Sequence, residues 1–138
     1  MVDVLLVDDE PGMLGAWERL FAIQPDMRLA GTLPSADGLM AAVKALRPGL
    51  VVIDLTMPGL DPFEAIARLH TDHPDLHIVV FSGMNDDATI RRAVEAGARG
   101  FVDKLADPLE MLGALRRVAA GERALPEWFE PSADRGRR

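Results

Sequence analysis

The chain has 138 residues, 49% of them apolar and 27% charged, with a net charge of −7. That is one domain with enough apolar content to bury its own core, which excludes intrinsic disorder. Cysteine is absent, which excludes disulfides, thiolate metal sites and thiol catalysis, and the acidic balance argues against direct nucleic-acid binding by these residues.

The first residues lack a basic start, and the apolar run at 4–7 is too short and too soon followed by acids for a secretion signal. No stretch approaches the roughly 20 apolar residues of a membrane span, so a cytoplasmic protein that does not meet the membrane is expected.

Residues 4–7 read as a first strand, ended by Asp8, Asp9 and Glu10. Pro11 suits the first turn of a helix, where its missing N–H costs nothing. Met13, Trp17, Leu20 and Phe21 follow at helical spacing, with Trp17 facing the core. Residues 27–33 alternate as a second strand. Ser35 is the expected cap of a second helix carrying Leu39, Met40, Val43 and Leu46, which Arg47-Pro48-Gly49 ends. Leu50, Val51, Val52 and Ile53 form a buried third strand, and Asp54 stands at its carboxyl end, before the Pro58-Gly59 break.

Asp61 and Pro62 open a third helix bearing Phe63, Ile66, Ala67 and Leu69, and His73-Pro74-Asp75 closes it. Residues 78–81 are a fourth strand, followed by Ser82-Gly83. Asp86 or Asp87 caps a fourth helix with Ile90, Ala93 and Val94 inward and Gly97 as its left-handed stop. Residues 100–103 are a short fifth strand with Lys104 behind it. Asp107-Pro108 starts a fifth helix whose buried face is Met111, Leu112, Leu115 and Val118. Periodicity ends at Gly121, and residues 135–138 form a basic end. The expected division is a domain over 1–121 and a linker or tail over 122–138.

Five strands alternating with five helices imply right-handed crossovers and a doubly wound parallel sheet covered on both faces. In such a sheet the carboxyl ends of the strands share one edge. Asp8 and Asp9, Asp54, Ser82 and Lys104 follow four of the five strands, so they are expected to converge. One acid after a strand is usually a turn residue; the conjunction carries the reading. Carboxylates gathered together repel unless a cation joins them, and oxygen-only ligands favour Mg²⁺. Asp54 can then attack a phosphoryl group as a nucleophile. Lys104 neutralises the transferred oxygens, Ser82 donates a hydrogen bond to them, and Gly83 leaves them room.

Taken as a set, Val7-Asp8-Asp9-Glu10, Ile53-Asp54-Leu55-Thr56-Met57-Pro58-Gly59, Phe81-Ser82-Gly83 and Gly100-Phe101-Val102-Asp103-Lys104 resemble the receiver domain of two-component response regulators. The resemblance covers residues 2–121. It implies a flavodoxin-like sheet in strand order 2-1-3-4-5. It makes Asp54 the phosphoacceptor and Asp9 and Asp54 direct Mg²⁺ ligands, with Asp8 acting through water and Thr56 through its backbone carbonyl. It makes Ser82 and Phe101 a switch pair that reshapes the face of the fourth helix, fifth strand and fifth helix.

The implied partners are a histidine kinase or phosphotransfer protein, with a homodimer as the candidate assembly. The chain would be a phosphoacceptor assisting its own phosphorylation and dephosphorylation, not an enzyme acting on an external substrate. Three positions depart from the pattern: Leu105 where many receivers have a cis-proline, Asp103 where an apolar residue is usual, and Phe101 in place of the commoner tyrosine. Residues 118–126 also resemble the linker of LuxR/NarL-type regulators, which carry a DNA-binding output domain.

Two other readings stand beside this one. A haloacid-dehalogenase-like phosphohydrolase also uses a strand-end Asp, but it wants a second Asp where Thr56 stands. A degenerate receiver used only for docking predicts a broken acceptor set. His70, His73 and His77 are a further, separate metal candidate.

Overall fold

A computed structural model describes residues 1–56 and 59–130. Met57, Pro58 and the basic end at 135–138 lie outside the described residues. The elements are β1 (Val2–Val7), α1 (Pro11–Ala22), β2 (Met27–Leu33), α2 (Leu39–Leu46), β3 (Leu50–Ile53), α3 (Pro62–Asp72), β4 (His77–Ser82), α4 (Asp87–Ala96), β5 (Gly100–Asp103) and α5 (Pro108–Ala119). The strands pair in parallel in the order β2-β1-β3-β4-β5. Both the class and the strand order agree with the sequence reading. Among the described residues no helix is long and apolar enough to cross a membrane.

The inner strands β1, β3 and β4 are apolar on both faces because both faces are covered. Leu5, Val7, Val51, Ile53, Ile78 and Val80 point to one side, against Leu39, Val43, Ile66, Leu69 and Ile90 of α2, α3 and α4. Val4, Leu6, Leu50, Val52, Val79 and Phe81 point to the other, against Trp17 and Phe21 of α1 and Leu112 and Leu115 of α5. The period-2 alternation of a strand produces this division, and each fully buried Leu, Ile or Val side chain contributes about 1.5–3 kcal/mol. Trp17 meets Phe81 edge-on, with ring centroids 5.8 Å apart, which settles its side chain as core.

Most helix ends follow the chemistry read from the sequence. Asp61, Asp86 and Asp107 each accept a hydrogen bond from an amide of the following turn, and Gly97 closes α4 at a φ of 128°. The start of α2 differs. Ser35 Oγ accepts from the Asp37 amide in a local turn, so its hydroxyl is used before the helix begins. Gly38, at a φ of 81°, occupies the cap position instead. At the other end Arg47, not a glycine, takes the left-handed conformation.

Residues 122–130 fold back on the sheet. The Phe101 amide donates to the Ala124 carbonyl at 2.9 Å, and the Ala124 amide donates to the Arg99 carbonyl at 3.0 Å. A parallel bridge between Gly100 and Ala124 thus occupies the free edge of β5. Phe129 is buried in the same cluster as Phe101. The Arg91 guanidinium of α4 lies 4.8 Å from the Phe129 ring centre and donates to the Glu130 carbonyl. The part of the tail described here is therefore a strap across α4 and β5.

Candidate functional site

The register sets the site. Val7 pairs with Ile53, Ile53 with Val80, and Val80 with Phe101. Asp8 and Asp54 come one residue after the first two of these, at the carboxyl ends of adjacent strands. They are held there by the Asp54 amide on the Val7 carbonyl and the Asp8 amide on the Leu33 carbonyl. The strand order reverses between β1 and β3, the position where open α/β sheets form a crevice. Ser82 pairs with Asp103, and the next residue, Lys104, donates its amide to the Ser82 carbonyl at 3.1 Å.

The side chains converge on Asp54, which is 1% exposed. Its Oδ1 accepts from the Thr56 amide and hydroxyl, each at 2.9 Å. Its Oδ2 accepts from Lys104 Nζ at 2.6 Å. Lys104 also donates to Glu10 Oε1 at 2.8 Å, with Asp8 Oδ1 at 4.0 Å. Burial alone would favour the neutral amine. The hydrogen bonds to Asp54 and Glu10, and the charges of Asp54 and Asp8, outweigh it and hold the Lys104 proton more tightly than usual.

Asp8 is fully buried, and its Oδ1 accepts from the Glu10 amide while Oδ2 has no partner among the described residues. Burial pushes its carboxyl above the ordinary carboxylate range, and the Glu10 amide and Lys104 pull it back only in part. Asp8, Glu10 and Asp54 offer oxygens within 4.8 Å of one another. Three carboxylates thus share one ammonium, and an orphaned buried oxygen points to a missing partner. An all-oxygen set of this charge fits a hard divalent cation.

The membership of that group differs from the expected one. Asp9 is exposed and stands outside it, whereas Glu10, expected to end the first strand and present in the receiver-like motif without a metal role, belongs to it. Thr56 is engaged through its amide and hydroxyl. Ser82 is fully buried, and its Oγ accepts from the Met84 amide at 3.0 Å, which leaves its own proton free to donate. Phe101 is buried beneath the strap. Asp103 does not pair with Lys104; it accepts from Asn85 and from the Leu105 amide. His70, His73 and His77 do not form a group able to hold a metal among the described residues.

The sequence model described as the response regulator receiver domain matches residues 4–116. The chain belongs to this family. Receivers of this kind act in two-component phosphorelay signalling, outside the classical enzyme families.

The nitrate/nitrite response regulator protein NarL of Escherichia coli (strain K12) is 32% identical over 128 residues, 93% of this chain and 59% of NarL. Response regulator GacA of Pseudomonas protegens is 31% identical over 143 residues, 97% of this chain and 67% of GacA. The receiver therefore spans 59% of the length of NarL. Among solved structures, a LuxR-family two-component response regulator from Aurantimonas sp. SI85-9A1 superposes with a TM-score of 0.84 at 31% identity, covering 90% of this chain and 89% of that one. The isolated receiver domain of RcsB from Salmonella enterica serovar Typhimurium shares the fold, with a TM-score of 0.83 at 23% identity over 91% of this chain and 94% of that one.

Proposed function

We propose that Asp54 accepts a phosphoryl group from a histidine kinase or phosphotransfer protein, and that the resulting dianion switches the α4-β5-α5 face. The observation that carries this reading is the Asp54 carboxylate, buried at the end of β3 with its Oδ2 2.6 Å from Lys104 Nζ. An Asp54 oxygen forms the new bond to phosphorus as the donor's bond to phosphorus breaks, and the donor leaves with that electron pair. Lys104 moves its hydrogen bond from the carboxylate to a phosphoryl oxygen. Ser82 donates its free proton to another while keeping the Met84 amide. These contacts strengthen as charge gathers on the transferred group, the main way a protein assists this reaction.

Asp8, Asp9, Asp54 and the Thr56 carbonyl would hold Mg²⁺, with Glu10 added by its place in the acidic group. Bound there, the ion supplies neutralisation of the phosphoryl charge. The same residues would assist loss of the group to water, so the chain returns to its starting state unaided.

Ser82 and Phe101 are the switch pair in this reading, and the phosphoryl dianion shifts their populations. The output lies in a homodimer or in a DNA-binding domain beyond the receiver, as in a LuxR/NarL-type transcription regulator, and the setting is the cytoplasm. The 1–121 unit carries the chemistry, and the strap at 122–130 packs on the face that switches.

The test is incubation with acetyl phosphate and Mg²⁺ followed by intact mass measurement, with Asp54→Ala in parallel. A gain of one phosphoryl group in the parent chain alone is the expected result. No gain in the parent, beside a control receiver that is labelled, refutes the reading.

A further inference from the structure

We propose that Asp103 is a positioning residue for Lys104, fixing the loop from which the lysine reaches the phosphoacceptor. The inference rests on the reading of Asp54 as that acceptor. A lysine side chain is a flexible stem with a point charge at its tip, so its aim depends on how firmly its backbone is held. Apart from the lysine's own ion pairs, the loop after β5 is held to the core among the described residues by the small side chain of Ala106. Leu105 is 92% exposed, and it is not a proline, so neither packing nor a ring restrains the chain there.

Asp103 supplies the restraint. Its Oδ1 accepts from the Leu105 amide at 2.9 Å, and its carbonyl accepts from the Ala106 amide at 2.9 Å. The Lys104 amide is itself bound to the Ser82 carbonyl. The peptide groups on both sides of Lys104 are thereby tied. The second carboxylate oxygen, Oδ2, accepts from Asn85 Nδ2 at 2.5 Å. Asn85 lies in the loop that follows Ser82 and Met84. One half-buried carboxylate therefore joins the loop that carries the lysine to the loop that follows the Ser82 hydroxyl. Its role is not charge pairing, because Lys104 spends its bonds on Asp54 and Glu10.

The test compares initial rates of phosphoryl uptake from acetyl phosphate with Mg²⁺ in the parent, Asp103→Asn, Asp103→Ala and Asp103→Leu. All three variants lose the charge, but only asparagine keeps an acceptor for the Leu105 amide, and its amide can still pair with a flipped Asn85. Alanine and leucine are expected to slow uptake about fivefold, the factor set by the net worth of one hydrogen bond. Asparagine is expected to stay within about twofold of the parent. Equal rates in all four chains, or equal slowing in all three variants, overturns the inference.

Asn85→Ala, which leaves β5 untouched, is expected to slow uptake as well. It decides the matter if the alanine and leucine chains melt far below the parent, and a parental rate in it then counts against the proposal. Failure of the parent to take up phosphate refutes the function instead, so the two failures are distinguishable.

Discussion

Asp8→Asn is expected to stabilise the protein in the absence of divalent cations. Asp8 is fully buried, and among the described residues it has one hydrogen bond, from the Glu10 amide, and an unpartnered Oδ2. Lys104 is 4.0 Å away and already committed to Asp54 and Glu10. A buried carboxylate in that position loses hydration that nothing fully restores. An amide there keeps the acceptor for Glu10, adds a donor beside Asp54 and removes one charge of a repelling group. Replacing a buried polar group that lacks compensation recovers about 1–2 kcal/mol, which for a domain of this size raises the melting temperature by roughly 3–6 °C.

The pH dependence has a definite sign. Burial raises the Asp8 carboxyl above its unfolded value of 3.8. The folded state therefore binds the proton more tightly, and stability falls as pH rises from near 3.8 through the raised folded value. The asparagine variant lacks that fall. Urea titrations in EDTA at pH 5 and pH 7 measure both effects. Adding Mg²⁺ should then stabilise the parent more than the variant, because ligand bound only to the folded state raises its stability. An asparagine chain less stable than the parent at pH 7 in EDTA would show the Asp8 carboxylate to be fully compensated, and the reasoning about the cation site would fail.

Phe129→Ala should release the strap without unfolding the domain. Truncating a buried Phe costs about 3–5 kcal/mol in a core, more than two edge hydrogen bonds retain, so the segment opens locally. Hydrogen exchange should show lost protection at the Phe101 and Ala124 amides, with interior amides of β3 unchanged; preserved protection at Phe101 counts against the strap. Gly97→Ala should destabilise by about 3 kcal/mol, from the strained positive φ and the crowding together. A Cβ there would sit 2.7 Å from His70 Cβ, so trimming His70 to alanine should recover little, as denaturant midpoints can check.

Strands β1, β3 and β4 were legible because burial on both faces writes itself as apolar runs, β2 from its alternation, and the caps at Asp61, Asp86 and Asp107 because each acts within one turn. Ser35 misled because a serine can satisfy a nearby turn as readily as a helix start, and only the path of the chain chooses. Arg47 bears no sequence mark of its left-handed backbone. Glu10 was hidden as an ordinary acid near a helix start, and Phe129 lay in a stretch without period.

The sequence by itself determined the order of elements, the strand that ends in Asp54 and the residue types gathered at one edge of the sheet. Those are properties of local pattern, with spacing and composition acting over a few residues. Tertiary structure decided which acids converge, that Asp9 faces solvent while Glu10 meets Lys104, what Asp103 bonds to, and that the tail closes the edge of β5. Each of these depends on side chains far apart in the chain meeting within a few ångströms, and one-dimensional spacing does not encode that distance.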